Sequence, residues 1–68
     1  MWVIIFDEGN CNRAEALYAS RSRSEINKKL KDLKEEYLDF ISEYVEGDYL
    51  ILKDNSAYYI NEVIEILG

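Results

Sequence analysis

The sequence predicts an α+β domain, an antiparallel sheet in the order β-β-α-β-β with one long amphipathic helix packed on one of its faces. Three observations predict it. Residues 2–6 (WVIIF) are aromatic and β-branched, the composition of a pleated, buried strand. From Ser24 onward the apolar residues Ile26, Leu30, Leu33, Tyr37, Ile41 and Tyr44 recur at intervals of three and four, the stripe of an amphipathic helix. Beyond Gly47, two apolar segments flank Asp54-Asn55-Ser56, a hairpin pattern.

Each element follows from its residues. After the first strand, Asp7 to Arg13 is rich in turn formers, and residues 14–19 (AEALYA) read as a second strand. The two make a hairpin with a polar loop. Ser24 is the expected N-cap and Gly47 the expected stop, so the helix runs about 22 residues, or roughly 33 Å. Residues 49–53 form the third strand and 57–67 the fourth. Over that last segment Ile60, Val63, Ile64 and Leu67 also fit helical spacing behind a Ser56 cap, which leaves helix as the alternative to strand. No linker or repeat divides residues 1–68, so one domain is expected. A four-stranded sheet spans about 15 to 19 Å, and the helix overhangs it. Since one helix covers one sheet face while the first strand is apolar on both sides, the second face needs a partner, and a homodimer or larger homo-oligomer is expected.

Size argues the same way. A chain of 68 residues buries only about 60% of the surface its unfolded form exposes, so its core is marginal. Cys11 is the single cysteine and histidine is absent, which removes an internal disulfide and the commonest metal ligand as staples and leaves oligomerisation. With 49% apolar residues and no proline, the chain reads as folded despite its net charge of -6. The longest apolar run, residues 2–6, is far short of the roughly 20 residues that span a bilayer, and no basic segment precedes it. A cytoplasmic protein with no membrane partner is the expectation, and the lone cysteine suits a reducing compartment.

Catalysis finds little support. Without histidine, Cys11 has no imidazole to activate it, and Gly9, Gly47 and Gly68 lie too far apart for a phosphate-binding loop. Asp7, Glu8 and Glu15 would meet across the first hairpin as an acid–base pair or a divalent-ion site, but solvated edge carboxylates explain them more simply. The expectation is a non-catalytic binding protein with no cofactor and no metal.

The charge is unevenly placed, at +2 over residues 1–31 and -8 over residues 32–68. The stretch SRSRSEINKK, residues 20–29, gathers basic side chains where the helix opens. Free N–H groups at a helix start, hydroxyls of Ser22 and Ser24, guanidinium forks of Arg21 and Arg23, and the ammonium groups of Lys28 and Lys29 one turn on together suit a phosphate-bearing ligand. Tyr18 is a stacking candidate for a nucleobase. The plainer alternative is a Ser24 cap with surface ion pairs. Long nucleic acid is repelled by the net charge. On a helix reaching residue 46, Asp32, Glu35, Glu36, Asp39, Glu43 and Glu46 line up as an acidic strip able to dock on a basic protein groove, although a solvated face explains them too.

The pattern WVIIFDEG, EALYAS, a lysine- and glutamate-rich helix, YLILKDN and YYINEVIEIL resembles the small acidic proteins that bacteriophages encode. The resemblance implies interference with host machinery or immunity, as anti-CRISPR proteins and proteins that sequester signalling nucleotides do. It implies a place in the host bacterial cytoplasm. Two functions follow, the first leading and the second its alternative. One is sequestration of a nucleotide immune signal by an oligomer; the other is an acidic inhibitor that occludes a bacterial defence protein by direct contact.

Overall fold

The computed structural model describes residues 1–9 and 14–64. It is α+β, as the sequence predicts, with one helix packed on an antiparallel sheet. The elements are β1 (Trp2–Asp7), β2 (Ala14–Ser20), α1 (Arg23–Glu36), a short 3-10 turn (Leu38–Phe40), β3 (Ile41–Val45), β4 (Tyr49–Leu52) and β5 (Ala57–Glu62). The sheet has five strands rather than four, in the spatial order β2-β1-β5-β4-β3.

The additional strand comes from the second half of the expected long helix. Helix α1 is 14 residues long and ends where the Tyr37 N–H donates to the Leu33 carbonyl. Leu38–Phe40 turns the chain, and residues 41–45 (ISEYV) form a strand, as their β-branched and aromatic content favours. The helical spacing of Ile41 and Tyr44 has another cause. The register of β3 against β4 shifts between Ile41 and Glu43, and this bulge brings residues three apart onto one strand face. Both side chains pack against the core. Gly47 stops no helix; it sits in the β3–β4 turn with φ +73.

The N-cap is Ser22 rather than Ser24: its backbone is extended and its Oγ accepts from the Glu25 N–H at 3.3 Å. Glu25 in the first turn and Lys34 in the last favour the helix dipole, whereas Arg23 in the first turn and Glu35 and Glu36 in the last oppose it. Strand β5 covers the first part of residues 57–67, Val63 and Ile64 lie beyond it, and the remainder falls outside the described residues. Cys11 also lies outside them.

Ile26 and Leu30 of α1, both fully buried, meet Ile4, Leu50, Leu52 and Tyr58 of the sheet. Around this centre Phe6 packs its ring 4.8 Å from that of Tyr58, and Tyr37 stacks on Tyr58 at 6.1 Å. Beside β1, Gly9 (φ +77) lies so close to the β4–β5 turn that a Cβ there would fall 2.6 Å from the Asn55 carbonyl oxygen. Asn55 itself has φ 72, and Asp54 closes that turn by accepting from the Ser56 N–H at 2.9 Å and from its hydroxyl.

Strand pairing places the remaining apolar side chains on the opposite sheet face. Pairing across the strands gives one row of Ala14, Asp7, Ala57, Ile51 and Glu43, a second of Ala16, Ile5, Tyr59, Tyr49 and Val45, and a third of Ala19, Val3 and Asn61. Among the described residues, no helix lies on these rows. Val3 is 7% exposed yet stands outside the core cluster, and Ile5, Ile51, Tyr49 and Tyr59 are half-buried.

Candidate functional site

The predicted phosphate site is split by the fold. At the helix start the serines bind one another: the Ser22 N–H donates to Ser20 Oγ at 3.0 Å, Ser20 Oγ donates to Glu25 Oε2 at 3.0 Å, and the Ser22 and Ser24 hydroxyls share a bond of 3.0 Å. These contacts cap the helix. Arg23 leaves the cluster altogether. Its Nε donates to Asn27 Oδ1 at 3.0 Å, its Nη2 donates to the Gly47 carbonyl, and its guanidinium lies 4.4 Å from the centre of the Trp2 ring. This arginine ties the helix start to β1 and to the β3–β4 turn. Arg21 is exposed in the bend between β2 and α1.

Tyr18, Lys28 and Lys29 do come together. They line an open groove of ≈ 230 Å³ on the helix flank, and Lys29 Nζ stands 4.9 Å above the Tyr18 ring. Glu25 and Asp32 line the same groove, so its two ammonium groups face two carboxylates. The local potential is close to balanced.

The acidic strip does not exist as one surface. Asp32, Glu35 and Glu36 are on α1, Asp39 is in the 3-10 turn, Glu43 is on β3 and Glu46 is in the β3–β4 turn. Ending the helix at Glu36 breaks the periodicity that would align them. Glu43 moves to the sheet face away from the helix, where it accepts from the Tyr49 hydroxyl at 3.2 Å. This bond, ahead of burial, raises the Tyr49 pKa. Glu8 and Glu15 line a second open groove, of ≈ 290 Å³, with Phe6 and Ala14. Among the described residues, no group of three or more acidic or cysteine side chains is placed to share a metal ion.

The asymmetry read along the chain becomes an asymmetry between layers. Helix α1 carries Arg23, Lys28, Lys29, Lys31 and Lys34 against Glu25, Asp32, Glu35 and Glu36. Among the described residues, no paired strand position holds lysine or arginine, whereas Asp7, Glu15, Glu43 and Glu62 all sit in strands. The sheet is the negative layer. Asp7 and Glu43 share the helix-free face with Val3, Ile5, Tyr49, Ile51 and Tyr59, whereas Glu15 and Glu62 pair with Phe6 and Trp2 on the helix side. Sequence reasoning found the face in outline, through the two-sided hydrophobicity of residues 2–6, but had no signal for Glu43 lying on it.

Comparison of the chain with family models, curated proteins and solved structures found no match. No helix among the described residues is long and apolar enough to cross a membrane.

Proposed function

We propose that this is a non-catalytic binding protein of the anti-defence kind that the resemblance implies, and that it occludes a host protein through its helix-free sheet face. One observation carries the reading. Half-buried isoleucines and tyrosines occupy consecutive rows of a sheet face on which, among the described residues, no helix lies. Large exposed apolar patches rimmed by polar residues are where proteins meet other proteins.

Affinity capture from bacterial lysate tests it with three baits: the wild-type chain, the face variant Ile51→Glu with Tyr59→Glu, and the helix variant Lys28→Glu with Lys29→Glu. The expected result is a host protein held by the wild type and the helix variant and lost by the face variant, with all three folded by circular dichroism. A partner held equally by the face variant overturns the assignment of the surface.

A second reading, sequestration of a phosphate-bearing nucleotide, is favoured by Lys29 standing above Tyr18 with Lys28 in the same groove. It predicts that a cyclic nucleotide raises the melting temperature of the wild type and not of Lys28→Ala with Lys29→Ala. No rise across a nucleotide panel removes it.

A further inference from the structure

On the docking reading just given, we infer that the surface seated on the helix-free face is basic, an apolar ridge flanked by two cationic groups, and is not a second copy of this chain. The row Asp7, Ala57, Ile51, Glu43 puts a carboxylate residue at each end of an apolar pair. Three inter-strand steps of 4.7 to 4.9 Å set the two acidic positions about 14 Å apart. The lysine nearest in register, Lys53, turns its Nζ to the Asp39 carbonyl at 3.1 Å. Glu43 accepts one hydrogen bond from Tyr49, which leaves most of its acceptor sites open.

A second copy fits poorly. Apposing two such faces brings together four carboxylates with no cation among their rows, on chains that each carry -6. Burying carboxylates without countercharge is costly. Area does not compensate. Five strands of about six residues present a face of roughly 24 by 20 Å, a small footprint for any partner. The apolar rows therefore need electrostatic help, and only a cationic surface supplies it. Contact is face-on, because both edge strands carry register breaks, between Ile4 and Ile5 where β1 meets β2 and between Ile41 and Glu43 where β3 meets β4. Such bulges blunt sheet extension.

Three 14-residue amphipathic helical peptides, leucine paired with lysine, glutamine or glutamate, probe the face by backbone amide NMR, with sedimentation equilibrium on the protein alone. The leucine–lysine peptide should shift the amides of Val3, Ile5, Tyr49, Ile51 and Tyr59 and bind about tenfold more tightly than the glutamine peptide at low salt. That preference should vanish in Asp7→Asn with Glu43→Gln, which keeps both acceptors. Equal binding of the lysine and glutamine peptides at this face overturns the basic partner while leaving the docking reading in place. A stable dimer through this face also overturns the inference. Absence of any peptide response at these amides brings down the docking reading itself.

Discussion

Truncating Arg23 to alanine removes a guanidinium that three parts of the fold share. It bonds Asn27 on its own helix, the Gly47 carbonyl in the β3–β4 turn, and the face of Trp2 on β1. Hydrogen bonds from a charged donor contribute about 1.5 to 3 kcal/mol, and a partly buried cation over an indole adds about 1 kcal/mol. Because the contacts share one side chain and are not additive, a loss of about 2 to 3 kcal/mol is expected. A domain of this size holds about 3 to 10 kcal/mol in all. At about 4 to 8 °C per kcal/mol, the melting temperature falls by roughly 10 to 20 °C. Guanidinium unfolding followed by circular dichroism and by tryptophan emission measures it, and Trp2 is the single tryptophan, so the optical probe sits at the contact. Arg23→Lys should fall between, since an ammonium keeps the charge near the ring but loses the planar fork. A midpoint for Arg23→Ala within about 0.5 kcal/mol of wild type, the usual range for surface substitutions, would show that Arg23 is a surface residue and free for a ligand after all.

Gly9→Ala should destabilise by about 2 kcal/mol or more, because φ +77 is strained for alanine and the new methyl meets the Asn55 backbone; chemical denaturation reads the loss, and hydrogen exchange should quicken around residues 53–57. The buried Tyr44 hydroxyl has no hydrogen-bond partner among the described residues, so Tyr44→Phe should stabilise by about 1 kcal/mol, and a lower melting temperature would reveal a bond to that oxygen. Burial, then its hydrogen bond with Tyr37, pushes the Tyr58 pKa up to about 12. An unfolded tyrosine loses its proton near 10, so this contribution to stability is intact below pH 10 and declines as pH rises toward 12. Absorbance titration at 295 nm should show a last tyrosinate step near 12 that disappears in Tyr58→Phe. Completion of all steps by about pH 11 with the fold intact contradicts it.

Much of this fold is legible in local composition. Residues 2–6, 14–19 and 49–52 are strands because their side chains suit a pleated surface, and Ile26, Leu30 and Leu33 mark a real helical stripe. The stripe misleads after Tyr37, where a β-bulge reproduces an interval of three. Period alone cannot separate a bulged strand from a helix. The site reading inherits that error, since six acidic residues align only on a helix that reaches Glu46. The basic cluster misleads for another reason. Arg23 looks available in sequence, but its acceptors, the Gly47 carbonyl and the Trp2 ring, are more than twenty positions away in opposite directions, and only the fold brings them within reach. Serine spacing was equally ambiguous, because Ser22 and Ser24 both precede the helical stripe and the backbone geometry selects Ser22.

Among the described residues, the strands carry Asp7, Glu15, Glu43 and Glu62 with no cation at a paired position. Helix α1 balances five basic against four acidic side chains, so the strand layer is the more negative side of the molecule. In the field of an approaching cationic body such a particle rotates before it touches, so that the strands lead. On the basic-partner inference, collisions would arrive pre-aligned, and a chain of 68 residues would gain speed of capture that its small contact area alone would not provide.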